Sequence, residues 1–131
     1  MISRWVLALF GLFHVVNGLA MLAAPDAWYA AVPGVSATGP INHHFITDIG
    51  LAFLASGAGM LFALGTGRAA ASFALAGSAW PALHALFHIW EWFAEHLPNT
   101  PTLWASEALG VVTAGLLGFA LALMRFRQGG G

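Results

Sequence analysis

The sequence predicts an all-α fold, a four-helix antiparallel transmembrane bundle. Of its 131 residues, 60% are hydrophobic and 7% are charged, and its mean hydropathy is +0.81. Such values are typical of integral membrane proteins. A chain of this length is expected to form one domain, so residues 1–131 are predicted to be a single membrane domain. The apolar residues fall into four stretches that each reach the roughly 20 residues a span needs: 5–24, 45–64, 69–93 and 103–124.

The first stretch, 5–24, is unusual because it contains His14 and Asn17. A basic residue ahead of an apolar run, with two alanines at its end, also fits a secretory signal peptide. Against cleavage, Pro25 would directly follow the cut, and the run is as long as a complete span. We therefore expect this stretch to remain as the first transmembrane helix.

The connections between the predicted spans indicate how the helices pair. A tight turn, 65–68, joins the second and third spans, and a proline-containing link, 94–102, joins the third and fourth. Short links of this kind place consecutive helices side by side and antiparallel. The first link, 25–44, is the longest and contains three prolines, so we expect it to fold back over the mouth of the bundle. The residues expected to cover the mouth are Trp28, Tyr29, Val32 and Val35.

The basic residues indicate an orientation. All of them lie at the same end of the predicted spans: Arg4, Arg68, Arg125 and Arg127. Cytoplasmic loops retain Lys and Arg, so we expect both termini in the cytoplasm and the lipid bilayer as the principal partner. In a bacterium this predicts a multi-pass protein of the inner membrane, N-in and C-in. Five aromatic residues would form the interfacial belt at the outer boundary: Trp28, Tyr29, Trp90, Trp92 and Trp104.

Most of the other ionisable side chains fall in the predicted outer half of the spans. His84, His88 and Glu91 stand at i, i+4 and i+7, which places them on one face of the third helix. The second span adds a pair at i, i+4, and the fourth adds an acid one turn from its outer end. Ionisable groups inside a membrane are costly and are functional by default. We expect these side chains to converge inside the bundle: His84, His88, Glu91, Asp48, His44 and Glu107.

The residues below Asp48 support that expectation. The same face of the second helix continues with Ala52, Ala55 and Gly59, all of them small. Small residues let membrane helices approach each other closely. We therefore expect this face, and Asp48 with it, to point into the bundle.

The predicted cluster has the chemistry of a metal site. Imidazole and carboxylate groups one turn apart can bind one ion, and facing helices can add further ligands. We expect a divalent transition metal, Zn, Fe, Mn or Cu(II), because nitrogen and oxygen ligands suit these ions better than Cu(I). A b-type haem is disfavoured because its axial histidines must lie at similar depth, and those of His14 and His84 differ. His14 and Asn17 are expected to support the ligands or to pack.

One stretch carries a resemblance. Residues 28–50 have the sequence WYAAVPGVSATGPINHHFITDIG. This stretch resembles the hallmark of a family of small four-span bacterial membrane proteins that are usually labelled uncharacterised. The resemblance covers mostly the first two spans and their link, and it implies the fold and a bacterial membrane but no activity. The four-span plan is also similar to that of the DoxX-like proteins, which include components associated with quinol oxidation. That similarity is architectural, so no residue role is carried over.

Three functional classes remain open. The chain has no cysteine, which excludes thiolate ligands and a cysteine nucleophile, and it has no basic patch for nucleic acid. Transport is disfavoured because the predicted inner half lacks a polar route. The first class is a metal-binding membrane protein, either an enzyme or a metal handler. The second is a small accessory subunit of a larger membrane complex, in which the cluster is structural. The third is a proton relay along the Asp, His and Glu side chains.

Overall fold

The computed structural model describes residues 2–95 and 97–129, and it is all-helical over these residues. The predicted fold class is therefore confirmed. A 3₁₀ turn lies at Val35–Ala37 and another at Phe62–Leu64, and a π-helical segment occupies Ser106–Thr113. The α-helices are α1 (Ile2–Ala23), α2 (Pro25–Ala31), α3 (His43–Leu61), α4 (Gly67–Ala94), α5 (Pro101–Ala105) and α6 (Ala114–Arg127).

The protein is a multi-pass membrane protein by the length and composition of its helices. Within the described part of the chain, four helical segments are long and apolar enough to cross a membrane. Three of them are α1, α3 with its terminal 3₁₀ turn, and α4. The fourth is a continuous helix made of α5, the π-helical segment and α6. Because α1 and α4 each contact both α3 and α6, the four segments close into a ring.

Glycines allow a close approach between α1 and α3. A Cβ atom on Gly18 would lie 2.6 Å from the carbonyl oxygen of Gly50. About two turns further along α3, a Cβ on Gly57 would lie 2.6 Å from the carbonyl oxygen of Gly11. The residue numbers rise on one helix as they fall on the other, so the two helices are antiparallel. Small residues at such crossings let the backbones touch, which is the usual basis of helix association in a membrane.

The half of the bundle near the arginines is tightly packed. Its core is a cluster of fully buried apolar residues contributed by all four long segments or their ends: Leu7, Met60, Ala63, Ala74 and Ala122. Arg125 is also buried there, and its guanidinium donates a 2.5 Å hydrogen bond to the carbonyl of Gly65. The Arg68 guanidinium lies 4.8 Å from the ring centre of Phe126. We call this half the arginine end and the other half the cavity end.

A folded cover closes the cavity end. It consists of the link between α1 and α3, which contains α2 and the 3₁₀ turn Val35–Ala37. The Tyr29 hydroxyl donates to the carbonyl oxygen of Gly39, which ties the two ends of the cover together. Gly34 has a φ of +85°, a conformation that favours glycine, and it lies against the side chain of Leu103. The Asn42 side chain caps α3 by accepting from the backbone N–H of Phe45 at 3.0 Å.

The cover faces inward as the sequence predicts. Trp28, Tyr29, Val32 and Val35 all line the cavity beneath it, which confirms the expectation that they fold over the mouth of the bundle. An exposed pair between Asp26 and His43, 3.1 Å apart, joins α2 to the first turn of α3.

Candidate functional site

The cavity end encloses a volume of about 670 Å³. Cavities of roughly 300–1,000 Å³ are the usual size for small-molecule sites. All four long helical segments and the cover contribute to its walls, which are largely aromatic and aliphatic. The side chains in those walls that ionise or carry an amide are few: His14, Asn17, Tyr29, Asn42, His84, His88, Glu91 and Glu107.

His88 lies between two carboxylates at one side of this cavity. Its Nδ1 atom is 3.5 Å from Oε2 of Glu91, one turn further along α4. The same Nδ1 is 3.7 Å from Oε2 of Glu107, which comes from the π-helical segment opposite. The atom is buried and has no hydrogen-bond partner among the described residues. The side chains of His88 and Glu107 are 19% and 18% exposed. We call His88, Glu91 and Glu107 the acid–histidine cluster.

The position of Glu107 depends on two local features. It lies in the π-helical segment Ser106–Thr113, and π-helical turns inside transmembrane or soluble helices occur often at functional sites. Its Oε2 atom accepts a 2.5 Å hydrogen bond from the indole N–H of Trp92 on α4. This bond holds the carboxylate on the side of the helix that faces His88.

His84 lies on α4, one turn before His88. Its ring stacks on Trp80, with 5.1 Å between ring centres and 11° between planes. The ring of His88 meets it edge-on at 4.8 Å. Phe53 of α3 completes the surroundings, at 6.3 Å from His84. His84 is therefore held in one orientation by aromatic contacts and lies next to the acid–histidine cluster.

His14 and Asn17 line a separate part of the cavity, on α1. His14 is only 3% exposed, and its Nδ1 atom is 2.6 Å from the carbonyl oxygen of Phe10. Asn17 accepts a 2.9 Å hydrogen bond from the indole N–H of Trp28 in the cover. Both residues were expected to support the ligands or to pack. Trp28 was expected as a belt residue and as part of the cover, but its hydrogen bond to Asn17 was not predicted.

His44 and Asp48 do not reach the cavity. They pair with each other at 3.2 Å, and their side chains are 88% and 58% exposed. The face of α3 that lines the cavity carries Ile46, Ile49 and Phe53. Asp48 is two residues from Ile46, about 200° around the helix, so it points away. The expected convergence of these two residues with His84 and His88 is therefore corrected.

The small residues below Asp48 do not form an inward face, so the prediction drawn from their helical spacing is wrong. Ala55 is exposed, and Ala52 is only partly buried. Gly59 does meet another helix, because a Cβ there would lie 2.8 Å from Cα of Gly77 on α4. That contact serves the α3–α4 packing and does not direct Asp48 into the bundle.

The structure thus places four of the six predicted ligands at the cavity. It also shows Trp92 as a hydrogen-bond donor to one of them, Glu107. The four that line the cavity are His84, His88, Glu91 and Glu107. Within residues 2–95 and 97–129, no three His, Asp or Glu side chains form a ready-made metal-binding group. Nothing in the sequence marks the π-helical segment, so the contact of Glu107 with Trp92 could not be predicted.

Comparisons with protein-family models, with curated proteins and with solved structures give no match to this chain. The case for a function therefore depends on the residues of the cavity.

Proposed function

We propose that the protein binds a divalent transition metal ion at the acid–histidine cluster, with His84 as a further ligand. One observation carries the proposal: a buried imidazole nitrogen without a hydrogen-bond partner lies between two carboxylates from two different helices. A buried polar atom of this kind is costly unless something binds it. A cation shared with both carboxylates would satisfy the nitrogen and neutralise the acids together.

The distances in the cluster favour a shared ion over direct hydrogen bonds. Two ligands of one tetrahedral ion, each about 2.0–2.2 Å from it, lie about 3.3–3.6 Å apart. The distances from His88 Nδ1 to Glu91 Oε2 and Glu107 Oε2 are 3.5 and 3.7 Å. The two glutamate side chains are flexible, so rotation about their torsions can turn their oxygens toward a common ion. His84 lies beside His88, with 4.8 Å between their ring centres, and we propose it as a further ligand.

The ligand chemistry limits the ion. Imidazole nitrogen and carboxylate oxygen suit Zn, Fe, Mn or Cu(II). The hydrogen bond from Trp92 to Glu107 is the kind of outer contact that orients a metal-binding carboxylate.

We also infer the membrane in which the protein lies and its orientation there. The arginine end carries Arg4, Arg68, Arg125 and Arg127, and positive residues are retained on the cytoplasmic side. We infer a bacterial inner-membrane protein, N-in and C-in, with the acid–histidine cluster in the periplasmic half of the bundle.

Metal analysis of purified protein tests the site. The full chain in mild detergent is loaded with Zn²⁺ or Mn²⁺, freed of excess ion, and assayed for bound metal beside His88→Ala and Glu107→Gln. The matched control is His44→Ala with Asp48→Asn, because this exposed pair also places a histidine beside a carboxylate but lies outside the cavity. We expect about one ion per chain in the wild type and the control, and little in the two cluster variants.

Two results would overturn the proposal. Metal retained in both cluster variants would place the ion elsewhere. Failure of the wild type to hold any of these ions would leave the cluster with a structural role, as in an accessory subunit of a larger complex.

The same geometry favours one second candidate, a proton relay. A protonated His88 would form ion pairs with Glu91 and Glu107 at the observed 3.5 and 3.7 Å. Proton-dependent fluorescence changes in vesicles, abolished by Glu107→Gln and unaffected by chelator, would select this function over metal binding.

A further inference from the structure

The part of the cavity beside α1 has its own chemistry, distinct from the acid–histidine cluster. It contains a hydrogen-bond acceptor and a hydrogen-bond donor, on His14 and Asn17, that the described residues leave largely unmatched. We infer that the cavity binds a neutral, mainly apolar molecule with one hydroxyl group, which donates to His14 Nε2 and accepts from the Asn17 side-chain amide. This inference does not depend on metal binding.

The acceptor follows from the tautomer of His14. A carbonyl oxygen can only accept, so the 2.6 Å contact with Phe10 requires the proton on Nδ1. In the neutral imidazole, Nε2 is then the unprotonated nitrogen and acts as an acceptor. It has no hydrogen-bond partner within the described part of the chain. His14 is only 3% exposed to solvent, and it lines the cavity. Its Nε2 atom is therefore available to a molecule bound inside.

The donor follows from the orientation of Asn17. The indole N–H of Trp28 can only donate, so the atom that receives it at 2.9 Å must be the amide oxygen. The amide nitrogen is thereby turned the other way. Its one contact among the described residues is the thioether sulfur of Met21, at 4.0 Å, and a thioether is a weak acceptor.

An acceptor and a donor on the same face of α1 indicate a hydroxyl as the group that binds both. His14 and Asn17 are three residues apart on α1, which places them on the same face, and both line the cavity. A hydroxyl is the simplest group that donates and accepts through a single atom. A carboxylate or phosphate would lack the proton that His14 needs, and no Lys or Arg lines the described cavity to bind an anion.

The walls indicate an apolar body. The His14 ring lies 5.5 Å from the rings of both Phe13 and Phe53. Phe45 and Phe87 add further apolar wall. A volume of about 670 Å³ leaves room for a body of several rings or a short chain beside the hydroxyl. The ligand class is therefore a lipid-soluble alcohol or phenol.

A pair of probes tests the hydroxyl directly. Binding of 1-naphthol and of 1-methoxynaphthalene, which cannot donate, is measured by equilibrium dialysis on the full chain in mild detergent. We expect 1-naphthol to bind roughly 3- to 10-fold more tightly, as one net hydrogen bond implies. In His14→Leu the two affinities should become equal, and His14→Gln, which keeps an acceptor near Nε2, should restore part of the preference.

A cavity-filling variant tests the same inference even if the variants at the buried His14 fail to fold. A Cβ on Gly110 would meet its nearest neighbour outside its own helix, Phe13 Cζ, only at 4.0 Å, so a longer side chain there would extend into the cavity. We expect Gly110→Leu to abolish binding of both probes while the protein remains monodisperse and helical.

Several results would contradict the inference that the cavity binds a hydroxyl compound. Equal affinity of the wild type for both probes, or a preference that survives His14→Leu, would refute hydroxyl recognition. Unchanged binding in Gly110→Leu would place the probes outside the cavity. Repeating the wild-type measurement with a chelator separates this inference from the metal proposal, because the naphthol preference should persist when bound metal is removed.

Discussion

The indole N–H of Trp92 donates a 2.5 Å hydrogen bond to the carboxylate of Glu107, and it thereby joins α4 to the π-helical segment across the cavity end. The same carboxylate is 3.7 Å from His88. Trp92 therefore orients a group of the acid–histidine cluster without belonging to it.

The first prediction concerns this bond. Trp92→Phe should weaken metal binding by roughly 10- to 100-fold, because loss of an outer hydrogen bond frees the ligand to adopt other orientations. Competition with a chelating dye measures the affinity. Trp104→Phe is the matched control, since its ring contacts Trp92 at 5.0 Å and it lies outside the cluster. Equal losses in the two variants would show that ring packing, not the hydrogen bond, is what matters.

The second prediction concerns the contact between α1 and α3. Gly18→Ala should lower the free energy of unfolding by about 1–3 kcal/mol, because its Cβ would lie 2.6 Å from the Gly50 carbonyl oxygen and the helices must separate. Denaturation in mixed micelles, followed by circular dichroism, measures the change. Gly110→Ala is the control: its added methyl would meet Phe13 Cζ at an ordinary van der Waals distance of 4.0 Å, so its stability should stay within about 1 kcal/mol of the wild type. The idea fails if both variants behave alike.

The third prediction concerns the cover. Tyr29→Phe removes the hydroxyl that donates to Gly39 and lies 3.4 Å from the carbonyl oxygen of Ser36. We expect faster hydrogen exchange over residues 34–40, by roughly 3- to 10-fold, with little change in α3 or α4. Exchange measured by mass spectrometry separates the two regions. Faster exchange throughout the bundle would mean that the cover supports the whole fold and is not a local element.

The fourth prediction concerns the orientation. The chain has no cysteine, so single variants Ser36→Cys and Thr66→Cys can be labelled without background. Both positions are exposed, one in the cover and one between α3 and α4. An impermeant maleimide added to intact cells with a permeable outer membrane should label Ser36→Cys and spare Thr66→Cys. Labelling of Thr66→Cys alone would reverse the orientation.

Hydropathy predicts the bundle well because each span must satisfy its backbone internally and present apolar side chains to lipid. Those two demands leave a strong signal in composition and length. The four segments observed are the four stretches that the sequence marks as spans. The cover was also predictable, since its prolines and inward aromatic residues are visible in the sequence.

The candidate site was predictable only in part. His84, His88 and Glu91 share a face at helical spacing, and the structure keeps them together at the cavity. His44 and Asp48 share a face equally well, yet that face points outward. Periodicity shows which residues lie on one side of a helix, but the rotation of that side toward its neighbours depends on packing. On α3 the contacts of Gly50 and Gly57 with α1 decide that rotation.

The division of the bundle into a packed arginine end and a hollow cavity end has a consequence for how the protein could change over time. The fully buried apolar cluster lies in one half, and the polar side chains that would recognise a ligand lie in the other. Substitutions around the cavity can thus alter what is bound at little cost to the contacts that hold the helices together. The usual conflict between a stable protein and an adaptable site is eased here because the two regions lie at opposite ends of the bundle.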